Sequence, residues 1–108
     1  MSKGTIILTP FPFTDLSGNK VRPALVLYNQ KNGDDCIVAF ISSVQDKKLG
    51  VCDILVTSTQ LNGLKINSTI KISKIATLQK RIILGEIGKL ESSIMTEVNN
   101  ALKNIFNL

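Results

Sequence analysis

The sequence predicts a mainly-β domain carrying one C-terminal helix, and three observations predict it. Hydrophobic residues make up 44% of the 108, yet aromatics are only 5% and Trp is absent, so the core must come from Ile, Leu and Val, which favour strands where they alternate. These residues fall in short runs broken by Pro, Gly and Asn-Gly, as strands separated by turns do. Only beyond Ser92 does the apolar spacing change to that of a helix. The length suits one domain, residues 1 to 108, with one core.

The elements follow in order. Thr5-Ile6-Ile7-Leu8 is a β-branched first strand that stops at Pro10 and Pro12. Residues 11 to 20 read as a loop with turn residues at 15 to 19, its root anchored by Phe11 and Phe13. A second strand runs from Val21 to Tyr28, with Pro23 restricted to its start or to an edge position because it donates no ladder hydrogen bond. Asn32-Gly33-Asp34 turns the chain into a third strand, Asp35 to Ser43. The apolar stretch Cys36 to Ile41 is too continuous for one solvated face, which puts this strand in the centre.

After a basic break at Lys47-Lys48-Leu49-Gly50 come a strand over Val51 to Thr57 and a turn at Asn62-Gly63. Thr69 to Ile72 and Lys74 to Leu78 form a strand pair or one bent strand. Ile82 to Ile87 is a further strand in which Gly85 signals a bulge or a close backbone approach. Ile94, Val98, Ala101, Leu102 and Ile105 then share one helical face, with Glu91, Ser92 and Ser93 as candidate caps.

Composition also excludes. The apolar runs are far shorter than the roughly 20 residues a helix needs to cross a bilayer. The Met1-Ser2-Lys3-Gly4 start leads to Pro10, Pro12 and Asp15 rather than to an apolar signal segment. A cytoplasmic protein without membrane contact is expected. Cys36 and Cys52 sit in strand-like runs as small hydrophobes and form no CxxC pair; with no His in the chain, neither a zinc centre nor any other metal or cofactor is expected. The same lack of His removes two-His and Ser-His-Asp chemistry, and no Gly-rich Lys-Ser/Thr segment cradles a nucleotide. The carboxylates, mostly beside turns, show no paired motif and read as solvated surface charge. Thirteen Lys plus Arg against eight Asp plus Glu give +5, which favours a polyanionic partner.

What remains is Arg22 beside Pro23 at a strand start, and Ser42-Ser43 at the end of another strand. Here the sequence resembles a family. The run Phe11-Pro-Phe-Thr-Asp-Leu-Ser-Gly-Asn-Lys-Val-Arg-Pro-Ala-Leu-Val-Leu27 is similar to the signature of MazF/PemK-like toxins. So are Ile37-Val-Ala-Phe-Ile-Ser-Ser43, Lys74-Ile-Ala-Thr-Leu78 and Ile87-Gly-Lys-Leu90. The resemblance spans the chain and implies a small, strongly bent antiparallel barrel, SH3-like or CcdB-like, with a C-terminal helix.

It further implies a metal-independent endoribonuclease that cuts single-stranded RNA, acting as the toxin of a type II toxin-antitoxin pair. The implied partners are an antitoxin protein and a second copy in a homodimer, with DNA reached only through the antitoxin complex. By the same resemblance Arg22 is the central catalytic residue, Ser42 the accompanying hydroxyl where many relatives carry Thr, and Lys20, Ser43, Lys71 and Lys74 candidate RNA contacts. Ser43 competes with Ser42, and Lys71 and Lys74 could equally be the solvent face of a strand.

The sequence departs from the family at two places. Thr5 follows Gly4 where relatives commonly carry Asp, and Ser73 stands where some relatives place an acidic candidate base, which leaves the proton-transfer group unassigned. A noncatalytic, CcdB-like protein-binding toxin or a degenerate relative are the alternatives; the CcdB activity depends on a Trp that this sequence lacks.

Overall fold

The computed structural model describes residues 1–10, 20–43 and 49–108. The expected loop with Phe11 and Phe13 at its root, and Lys47 and Lys48 of the basic break, lie outside them.

Six strands and one helix follow in order: β1 (Thr5–Pro10), β2 (Val21–Asn29), β3 (Asp35–Ser43), β4 (Asp53–Val56), β5 (Ser68–Gln79), a 3-10 turn (Lys80–Ile82), β6 (Gly85–Lys89) and α1 (Ser92–Phe106). The strands form one antiparallel sheet ordered β4-β5-β3-β2-β1-β6. It is a strongly bent half-barrel whose edges are β4 and β6, so β3 is interior, as its continuous apolar run requires.

Register shifts supply the bend. Opposite β3, the pairing passes from Ala39↔Ile75 to Phe40↔Lys71, leaving 72–74 as excess on β5. The Ile72 amide turns instead to the Cys52 carbonyl at 3.0 Å. The segment 69–78 is thus one bent strand. A second shift skips Leu27 on β2, and a third skips Ile87 on β6; an extra residue bends a strand and raises its twist.

Both faces of the bent sheet carry a buried cluster. One holds Ile6, Leu25, Ala39, Ile41, Ile54, Ile70 and Ile72 under the helix residues Ile94, Val98, Ala101, Leu102 and Ile105. The other holds Ile7, Ala24, Val26, Cys36, Val38 and Phe40. Burial pushes the Cys36 thiol up from its ordinary pKa, against a smaller opposing pull from Lys80.

Several expectations change. Pro10 lies inside β1, paired with Val21, because an end position needs no further donor. Pro23 pairs with Leu8 while the ladder to β3 begins only at Ala24, so its missing N–H is tolerated. Cys52 sits in a turn before the shorter β4. Ile82 and Ile83 belong to no strand: Ile82 closes the 3-10 turn and both pack on the second core patch.

Gly85 opens β6 in free space, and the close approach falls elsewhere: a Cβ on Gly88 would overlap the Asn62 backbone, and one on Gly63 (φ +70) the Ile87 carbonyl. Glu91 is the helix N-cap residue but makes no side-chain cap bond, since its carboxylate is engaged elsewhere. At the other end Asn107 adopts the left-handed conformation (φ 59), a conformation Asn tolerates at helix ends.

Candidate active site

The strands that carry Arg22 and Ser42 meet at one rim of the half-barrel. The β2–β3 pairing ends at Ala24↔Phe40, and Arg22 and Ser42, each two residues beyond it, line the same cleft. Alternation then sorts the two serines. Arg22 and Ser42 extend the stripe of Ala24, Val26, Val38 and Phe40, whereas Ser43 extends the opposite stripe of Ala39 and Ile41. Two clefts form at this rim. Arg22, Phe40, Ile41, Ser42, Ser43, Lys71 and Lys74 line one of about 270 Å³. Arg22 and Ser43 also border a second, apolar cleft of about 410 Å³ with Val21, Leu64, Ile66 and Ile87.

Arg22 is half-buried, and no carboxylate among the described residues pairs with it. A guanidinium in that state offers a planar fork of donors to an anion. Lys71 differs. Its Nζ lies 3.0 Å from Asp53 Oδ2, with only 10% of the Asp53 side chain exposed, and the two residues are ladder partners on β4 and β5. Burial works to raise the Asp53 pKa, but the Gly50 amide and Lys71 outweigh it and hold the carboxyl below its ordinary range. Asp53 is thus no solvated surface charge, and Lys71 brings a cation already partly neutralised to the cleft. Lys74 and Lys20 are exposed; Lys74 reaches the polar cleft, and Lys20 lines neither described cleft.

The departures from the resemblance also find their places. Thr5 is 5% exposed, and its Oγ1 accepts the Ser2 amide at 3.1 Å, so it fastens the start of β1. Ser73 is exposed within the excess of β5. Among the described residues no three Cys, Asp or Glu side chains converge as a metal-ligand group.

Sequence reasoning missed a second polar cluster. Asn62, read only as a turn residue, is fully buried and binds Glu91 and Thr59. The Asn62-Gly63 dipeptide carries a turn signal, and nothing local in it reveals a partner at Glu91, 29 residues away.

Against protein families, one profile matches residues 2–106, that of PemK-like, MazF-like toxins of type II toxin-antitoxin systems. The chain belongs to this family. Among solved structures, a mycobacterial endoribonuclease in complex with its cognate antitoxin superposes with a TM-score of 0.77 at 16% identity, over 100% of this chain and 96% of that one. The Mycobacterium tuberculosis toxin MazF-mt6 gives 0.76 at 21% identity, over 96% and 97%. A further mycobacterial endoribonuclease gives 0.74 at 17%, over 100% and 92%. At such identities the likeness is one of fold: these toxins share the bent half-barrel and its C-terminal helix. No curated protein matches the chain significantly. Among the described residues no helix is long and apolar enough to cross a membrane.

Proposed function

We propose that this PemK/MazF-family chain is a metal-independent endoribonuclease that cuts single-stranded RNA at Arg22, as the toxin of a toxin-antitoxin pair. The observation that carries the reading is that Arg22, without a carboxylate partner among the described residues, lines one cleft with Ser42 and Lys74. In the reaction, the ribose 2′-OH attacks the adjacent phosphorus and the bond to the 5′-oxygen breaks, giving a 2′,3′-cyclic phosphate and a 5′-OH end. Negative charge grows on the nonbridging oxygens as this happens. The guanidinium can hold two of those oxygens through parallel N–H bonds, and Ser42 adds a neutral donor.

The mycobacterial endoribonuclease of this fold that was solved with its cognate antitoxin supports an antitoxin as this chain's partner. We infer a segment of opposite charge that lies over the Arg22 rim and excludes RNA. A homodimer belongs to the same reading, as do Lys20, Ser43 and Lys74 as RNA contacts, with Lys71 a weaker one because Asp53 holds it. Purified protein incubated with a long RNA in EDTA, beside a folded Arg22→Ala variant, tests the reading. Cleavage by the wild type and not by the variant is the expected result. RNA left intact by the wild type would reject it in favour of a toxin that only binds.

A further inference from the structure

The segment 57–67 carries little regular structure yet is tied down by an unusually complete set of side-chain bonds. Asn62 is fully buried and uses its whole amide. Its Oδ1 accepts the amides of Thr59 (3.1 Å) and Leu64 (3.0 Å), while its Nδ2 donates to the Thr57 carbonyl (2.9 Å) and to Glu91 Oε1 (3.2 Å). The second Glu91 oxygen, Oε2, accepts the Thr59 hydroxyl at 2.6 Å. That hydroxyl oxygen in turn accepts the Asn62 amide at 3.1 Å. Glu91 thereby clamps the segment to the first turn of α1 in place of capping the helix, and buried amides satisfied in this way fix a unique backbone.

The clamped segment faces the rim. Gly63, Leu64, Lys65 and Ile66 form one wall of the apolar cleft whose other side includes Arg22, Pro23 and Ser43. That cleft shares Arg22 and Ser43 with the polar one. A phosphate gripped by Arg22 therefore has its neighbouring nucleoside at the mouth of an apolar slot, where Ile66 is 57% and Val21 44% exposed. Apolar side chains such as these pack against an unstacked base.

We propose that Asn62 and Glu91 are positioning residues of the RNA site, holding Gly63 to Ile66 as the wall of a subsite for the nucleoside next to the Arg22-bound phosphate. The proposal rests on the RNA-cleaving reading above. The clamp touches no reacting atom, so its loss acts on binding and on sequence choice rather than on the chemical step.

Three variants test it: Glu91→Ala, Glu91→Gln, which keeps an acceptor and the side-chain length, and the milder Thr59→Val. Amide hydrogen exchange and RNA-cleavage kinetics are measured on each, and the 5′-OH ends are sequenced. In Glu91→Ala the Gly63 and Leu64 amides should lose protection while those of β3 keep theirs. KM should rise about ten-fold with kcat nearly unchanged, and the range of sequences cut should broaden. Glu91→Gln should recover most of this, and Thr59→Val should shift the same quantities less. Should Glu91→Ala prove unfolded, Thr59→Val carries the test.

Unchanged loop protection, or a loss confined to kcat, would overturn the clamp while a normally cutting wild type keeps the proposed function intact. A variant that changes capture of an antitoxin peptide but neither KM nor the cut sites would also overturn it, assigning the cleft to protein. A wild type that neither binds nor cuts RNA overturns the proposed function and the subsite together.

Discussion

At the scale of single residues, the proposed site rests on one permanent charge. Removing Arg22 should slow single-turnover cleavage by roughly 100-fold or more, as loss of a preorganised donor worth about 3 kcal/mol does. Arg22→Lys should recover little, because an ammonium supplies charge without the bidentate fork. Ser42→Ala should cost less, since a neutral hydroxyl stabilises less charge; circular dichroism on each variant separates folding from chemistry. The acidic residues give a pH prediction. In Glu91 the Thr59 hydrogen bond, opposed by burial and aided by Asn62, holds the pKa below its ordinary value. Asp53 is shifted the same way, burial being outweighed by Gly50 and Lys71. A folded-state pKa below the unfolded one means stability is fully present above the unfolded value and is lost as pH falls through the folded one. The thermal midpoint should therefore hold near neutrality and drop below about pH 4, with Glu91→Gln and Asp53→Asn each flattening part of that drop.

Secondary elements show how much was legible and why the rest was not. The third strand was readable to the residue, because its pattern is continuous and its ends are marked by Asp34-Asp35 and Ser42-Ser43. The terminal helix was equally readable from Ile94 to Ile105, and all five apolar positions of its face pack on the core. Val98 is its fully buried anchor, so Val98→Ala should cost about 2 kcal/mol, or a fall of several degrees in melting temperature, measured by calorimetry. Less legible was the stretch from Lys80 to Lys89, where an isoleucine-rich run reads as strand. Ile82 and Ile83 instead pack against the core patch that contains Ile7 and Phe40, a tertiary use that local pattern does not encode. Gly85 misled for the same reason: the irregularity of β6 falls at Ile87, and it is Gly88, not Gly85, whose Cβ would meet the Asn62 backbone.

For the molecule as a whole, charge and surface set the predictions. With +5 and Arg22, Lys20 and Lys74 on or beside the rim, affinity for single-stranded RNA should fall steeply with salt, by about 0.7 logarithmic units per phosphate contact for each tenfold rise. Filter binding across a salt series measures the slope, and a flat line would remove the basic rim as the RNA site. Duplex RNA should be cut poorly, because its bases stay stacked. Exposed Val51, Leu55, Leu61 and Leu84 leave apolar surface for a second copy. Light scattering at micromolar concentration should give twice the 108-residue mass; a stable monomer would reject the dimer.

The sequence by itself determined the material of the core, the turns at Asn32-Gly33 and Asn62-Gly63, the central strand and the terminal helix. Those features depend on neighbours close in the chain, on periodicity and on backbone preference. Only the tertiary structure decided that Ser42 and Ser43 both come to the cleft of Arg22, that Lys71 is held by Asp53, and that Glu91 clamps Asn62 in place of capping its helix. Each of these depends on register or on contacts between distant segments. A one-residue change of register turns a side chain to the opposite face of a sheet, and no local pattern fixes which distant partner a buried amide or carboxylate will meet.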